Sequence, residues 1–129
     1  MASVKPDLLF VYGTLRAGSG HPMQKRLQTT GRFLGQAVFS GQMFWAGTFP
    51  AVVDSGIGQV QGELYELKEE SFWAELDGYE GCEEGLFRRE RRWLRGVGGG
   101  QVEAWVYLYG RPTAGLKRID SGDFFAAGR

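Results

Sequence analysis

The sequence predicts a small α+β domain made mostly of short strands, and three observations lead to it. Apolar or alternating runs of strand length recur along the chain and are separated by turn residues. Twenty-one of the 129 residues are glycine, more than twice the usual ~7%. These glycines follow no fixed period, which suits many turns and excludes a collagen or a solenoid. Only two segments carry helical signals. A single domain spanning 1–129 is expected, since a chain of this length can bury a real core. Residues 111–129 form its turn-rich tail.

Taken in order, the first strand is Leu8–Tyr12, where "LLFVY" runs apolar and then breaks at Gly13. A short helix over Pro22–Leu27 follows a glycine-rich turn. Strands are predicted at Gly31–Phe39, Gly41–Trp45, Ala51–Asp54 and Gln59–Leu67. The clearer helix is Lys68–Tyr79, with Ser71 as its N-cap and Phe72, Leu76 and Tyr79 at helical spacing. Strands Leu86–Leu94 and Val102–Tyr109 flank "GVGGG", a flexible hairpin tip. Trp73, Trp93 and Trp105 are expected in the core. Closing such strands into a barrel would remove exposed edges.

Composition excludes several function classes. Fifteen basic and fifteen acidic residues cancel, so no overall field points to nucleic acid or to a membrane surface. The lone Cys82 has no intramolecular disulfide partner and lacks a catalytic-cysteine signature. One cysteine and one histidine, His21, cannot form a zinc site without carboxylates. The residues Met1–Leu15 do not have the pattern of a signal peptide. No apolar run approaches the ~20 residues of a membrane span, and the cytoplasm is the expected compartment.

Two stretches carry chemistry. Gly13 lets a ligand approach the main chain, and a loop at a strand's end can present successive amide N–H groups to an anion. Tyr12, Gly13, Thr14 and Leu15 therefore form either a cradle for a small carboxylate or phosphate, or a plain turn. The stretch "AELDGYEGCEEGLFRRE" sets Glu75, Asp77, Glu80, Glu83 and Glu84 among apolar residues. A carboxylate desolvated there serves as a general base. Glu80 follows Tyr79 at the helix end and precedes Gly81, so it is the acid expected to point inward. Glu83 and Glu84 look solvated, Asp77 is placed on the solvated side of the helix end, and His21 is a rival base in a packed loop. The run "RRERRWLR" splits its five arginines between two strand faces, which favours a solvated strand, or one arginine supporting the pocket, over a nucleic-acid site.

In this order, "VYGTLR", "FPAVV", "VQGELYEL", "ELDGYEG", "LFRRE", "AWVYLY" and "DSGDFF" resemble the γ-glutamylcyclotransferase-like (AIG2-like) family over nearly the whole chain. The resemblance implies a small closed mixed β-barrel of about six strands with one or two flanking helices. It also implies that the main chain of Tyr12, Gly13, Thr14 and Leu15 holds a γ-glutamyl group. The family's catalytic glutamate falls on Glu80, and the aromatic pocket wall falls on Tyr107, with Tyr109 next. Arg89 matches a family arginine. Two departures, Cys82 after Glu-Gly and Phe87 before the arginines, bear on pocket shape.

The implied reaction is intramolecular: the substrate's α-amine attacks its own γ-carbonyl, forming 5-oxoproline and freeing an amine. One carboxylate can take the amine's proton and return it to the leaving group. No metal and no organic cofactor is required, and the expected partner is a small γ-glutamyl compound, with the chain a monomer or a homodimer. The competing class is a binding module that keeps the pocket without turnover.

Overall fold

The computed structural model describes residues 7–126. Its strands are β1 (Asp7–Val11), β2 (Gly31–Phe39), β3 (Gln42–Ala46), β4 (Phe49–Val53), β5 (Val60–Leu67), β6 (Phe87–Arg95), β7 (Gln101–Tyr109) and β8 (Lys117–Arg118). The helices are α1 (Pro22–Thr30) and α2 (Glu70–Tyr79), with short 3₁₀ turns at Val97–Gly99 and Phe124–Ala126. Five strands close into a barrel in the order β1-β5-β2-β6-β7. β1 lies antiparallel to β5 and parallel to β7, so the barrel is mixed. The α+β class and the closed barrel thus match the prediction, while the strand count needs correction. β3 and β4 pair with each other as a hairpin and recruit β8 from the tail, forming a separate three-stranded sheet.

The uninterrupted apolar start has a direct cause: both faces of β1 are buried. Phe10 and Tyr12 point into the barrel with Phe39, Leu64, Val106 and Leu108. Leu9 and Val11 pack outward against Leu27 of α1 and Phe72 and Leu76 of α2. A strand covered on both sides reads as a run rather than as an alternation. Gly62 of β5 faces the barrel interior, where an added Cβ would lie 2.3 Å from the Val11 carbonyl oxygen and 2.5 Å from the Phe10 ring.

Three expectations are corrected. α2 is capped at Glu69 with no side-chain cap bond, and Ser71 sits inside the first turn. The chain leaves β5 at Leu67 and closes that turn through Phe72 N–H to the Glu69 carbonyl at 3.2 Å. α1 runs on past Leu27 to Thr30 and passes straight into β2. Trp73 is buried and Trp105 half-buried, but Trp93 is 62% exposed. It alternates with the buried Leu94 and so points away from the barrel interior. The tail is more ordered than a string of turns, carrying β8 and a 3₁₀ turn; its residues 127–129 lie outside the described residues.

The arginine run splits as expected. Arg88 and Arg92 pair with Glu90, and Arg92 also meets Asp54 at 2.6 Å. On the other face Arg91 meets Asp7 and Glu103, while Arg89 meets Asp77. No helix among the described residues is long and apolar enough to cross a membrane.

Candidate active site

The loop after β1 forms one wall of a cavity of about 270 Å³. Its carbonyls are tied back into the loop: Gly13 O accepts from Arg16 N–H at 3.0 Å, and Thr14 O accepts from Ser19 Oγ at 2.5 Å. The N–H groups of Gly13, Thr14 and Leu15 have no acceptor among the described residues. The loop therefore turns its donors, and not its acceptors, to other uses. Glycine at position 13 is required by space. Its φ is not in the left-handed region, but a Cβ there would sit 2.7 Å from Cγ of Pro50.

The second wall is the end of α2. Cys82 N–H bonds back to the Asp77 carbonyl at 3.0 Å and Gly81 N–H to that of Gly78 at 3.1 Å. Gly81 has φ +68. This is a Schellman closure, which needs a left-handed residue directly after the cap and so explains glycine there. It makes Glu80 the C-cap, with φ −83 and ψ 0. Glu80 sits half-buried on the cavity wall. No donor among the described residues bonds to its carboxylate. Burial without compensation raises its pKa from 4.5 to about 7.

Tyrosines surround this acid. Tyr12, Tyr79 and Tyr107 line the cavity with Gly13, Thr14, Leu15 and Glu80. Burial chiefly raises the pKa of all three phenols, and the Glu80 charge raises them further. Tyr12 Oη donates to the Tyr107 carbonyl at 2.5 Å. Tyr79 Oη lies 3.1 Å from both Thr14 Oγ1 and His21 Nε2. His21 caps α1, its Nδ1 accepting from Met23 N–H at 3.1 Å. In the neutral ring the proton then sits on Nε2, so His21 donates to Tyr79 and Tyr79 donates to Thr14. His21 thus reaches the site through Tyr79. Phe10, Phe49, Pro50, Leu86 and Phe87 complete an apolar lining in which Glu80 is the one charged residue. Tyr109 is not part of this lining and packs edge-on against Phe87, ring centres 5.6 Å apart.

Asp77 is misplaced by the sequence reading. It accepts two bonds from Arg89, at 2.8 and 3.1 Å, and one from Tyr107 Oη at 2.7 Å. Burial pushes its pKa up, but the Arg89 and Tyr107 bonds and the Arg89 charge outweigh that and hold it below the usual range. The Arg89 guanidinium lies between Trp73 and Trp105, 4.5 and 4.6 Å from their ring centres. Of the two departures, Phe87 lines the cavity and Cys82 does not. Burial and the charges of Asp77 and Glu80 push the Cys82 thiol up to about 11, which argues against a thiolate nucleophile.

Residues 9–126 match the family described as gamma-glutamyl cyclotransferase, AIG2-like. The chain belongs to this family. It is 33% identical over 117 residues to the gamma-glutamylcyclotransferase family protein YtfP of Escherichia coli K12, covering 90% of this chain and 94% of that one. A putative gamma-glutamylcyclotransferase of Vibrio cholerae is 33% identical over 91% of this chain and 94% of its own. Among solved structures, an AIG2-like protein of Mus musculus superposes with a TM-score of 0.75 at 26% identity, covering 93% and 90% of the two chains. The solution structure of YtfP from Escherichia coli gives 0.69 at 33% identity, covering 92% and 96%. Sequence reasoning on this γ-glutamylcyclotransferase-like chain missed Tyr79 and Pro50 as parts of the cavity lining. Tyr79 was read only for its helical spacing, and Pro50 stood in a quoted motif without an assigned role.

Proposed function

We propose that the protein catalyses intramolecular cyclotransfer on a γ-glutamyl amine, amide or dipeptide, releasing 5-oxoproline and a free amine. The observation that carries this reading is one juxtaposition. A carboxyl with no bonded donor and a pKa near 7 lines the same cavity as three successive unengaged amides. The amides of Gly13, Thr14 and Leu15 hold the substrate's α-carboxylate, a main-chain role for an anion in a lining that has no cation. The α-amine is bonded to the same carbon and so lies toward Glu80. Glu80 in its carboxylate form takes a proton from the ammonium group. The freed lone pair attacks the γ-carbonyl carbon and the ring closes. Glu80 returns the proton to the leaving nitrogen, the C–N bond breaks, and the ring nitrogen gives its second proton to the freed amine, so that 5-oxoproline and an ammonium ion leave. Tethering supplies much of the rate, because the nucleophile needs orienting and not capturing. A pKa near the working pH suits a group that must both accept and donate.

The test is a panel of γ-glutamyl amines and dipeptides assayed for 5-oxoproline. Turnover of a member by wild type, lost in Glu80→Gln, supports the reading. Tight binding with no 5-oxoproline from any member overturns it.

A further inference from the structure

We propose that the C-terminal segment is a working part of the site: Asp123, acting through Arg16, is a positioning residue for the Gly13–Leu15 cradle. Arg16 directly follows the cradle and is 8% exposed, yet it does not line the cavity. Its guanidinium turns away from the ligand space, with Nη1 donating to Asp123 Oδ1 at 2.7 Å. The Phe125 ring lies 4.4 Å from the guanidinium carbon. Nε sits 3.6 Å from Glu63 Oε2 on β5. Glu63, 6% exposed, accepts from the Ala17 N–H through its other oxygen at 2.8 Å. The stretch from Gly13 to Ala17 is thus held from behind by one buried arginine and two carboxylates.

The tail is built to deliver Asp123 to that spot. Gly122 O accepts from Gln61 N–H at 2.7 Å, two residues before Glu63. Gly122 has φ +67, and a Cβ there would lie 1.7 Å from the Gln59 carbonyl oxygen. Only glycine lets the tail press this closely on the chain entering β5. The next residue is Asp123. Burying charges is costly in itself and is weak support for stability. Fixing the angle of a loop whose amides must converge on an anion is a use that repays it. The inference rests on the γ-glutamyl reading for the identity of the ligand, and not for the clamp.

The experiment compares wild type with Asp123→Ala by two readouts. The first, free of ligand, is hydrogen exchange of the Arg16 and Ala17 amides, both bonded in the native loop. The second is KM and kcat for a γ-glutamyl compound that wild type turns over. The expected result is exchange faster by about tenfold at Arg16 and Ala17 with barrel amides such as Leu64 unchanged, the mark of a local opening. KM rises by about tenfold while kcat stays within about threefold, a loss of binding geometry and not of chemistry. Unchanged loop exchange, or faster exchange with unchanged KM, overturns the proposal. If Asp123→Ala does not fold, the half-exposed Phe125→Ala takes its place, with shifts of about threefold in the same direction expected and no shift overturning it. If wild type turns over no γ-glutamyl compound, the functional reading fails, and the exchange readout alone then decides the clamp either way.

Discussion

The two walls of the cavity are built on opposite principles. The loop wall offers main chain, and its charged residue, Arg16, faces backward into a buried ion cluster. The acid wall offers one carboxylate and leaves it without a bonded donor, while its neighbour Asp77 takes three bonds. Asp77 and Glu80 belong to the same helix end, yet Asp77 titrates below its usual range and Glu80 well above. What separates them is partnership: both are desolvated, and only Asp77 accepts hydrogen bonds from an arginine and a phenol. On the proposed reading the loop wall is the one that binds, held from behind by ion pairs, and the acid wall is the one that reacts, its carboxylate left without a bonded donor. Such pairs with pKa values pushed apart are how acid and base roles are divided in a site.

The sharpest way to break this contrast is Glu80→Gln, which keeps size and removes the base. Turnover is expected to fall at least ~10²-fold, the usual worth of a general base. Binding, followed by calorimetry, should change only a few-fold because the loop amides remain. Glu84→Gln on the exposed loop is the control. A Glu80→Gln enzyme that keeps pace with wild type removes Glu80 from the mechanism. On the opposite wall, Gly13→Val drives a side chain into the Pro50 ring. It should weaken γ-glutamyl binding by at least about tenfold and cost roughly 1–3 kcal/mol of stability, as overpacking does. Thr14→Ser, which keeps the hydroxyl accepting from Tyr79, should do neither. Normal binding by a folded Gly13→Val protein would show that the loop is no cradle.

Asp77→Asn sharpens the comparison from the side of the paired acid. It leaves Arg89 between two indoles without its carboxylate. The pair is partly exposed, so a stability loss of about 1–2 kcal/mol is expected. The end of α2 should loosen and kcat fall about threefold to tenfold, the cost of a poorly held catalytic group. A rate equal to that of wild type would mean that Asp77 does not position Glu80.

Much of this was legible in the sequence, for reasons tied to particular residues. The doubly buried β1 was readable because both of its faces are apolar. Glu80 was readable because the glycine after it marks a helix end, and the Schellman geometry requires that glycine. Asp77 was not readable: its partners Arg89 and Tyr107 come from β6 and β7, and a helix-end aspartate without them belongs in water. Trp93 failed for the converse reason, since an indole's apolarity does not say which face of a strand is covered. Arg16 and Asp123 were visible only as motif letters, because a contact between a loop and a tail more than a hundred positions apart has no local signature.

The smallest effect is a difference in pH dependence, and it isolates the acid wall from the rest of the protein. Below pH 4.5 Glu80 is protonated in both the folded and the unfolded chain and costs nothing. Above about 7 it is ionised in both, and the folded state bears the full cost of a desolvated charge. Between those values the folded chain binds more protons, so stability falls as pH rises through this window. A rise from 4.5 to about 7 corresponds to at most ~3–4 kcal/mol, and the half-open position of Glu80 should reduce that to about 1–2 kcal/mol after solvent screening. Glutamine carries no charge at any pH, and its own burial cost is constant. The stability of Glu80→Gln relative to wild type, from urea midpoints, should therefore rise by about 1–2 kcal/mol between pH 4.5 and 8. Subtracting one protein from the other cancels every other titrating group, Asp77 included. A flat difference would mean that Glu80 is not held in a desolvated position, and the contrast between the two walls would lose its physical basis.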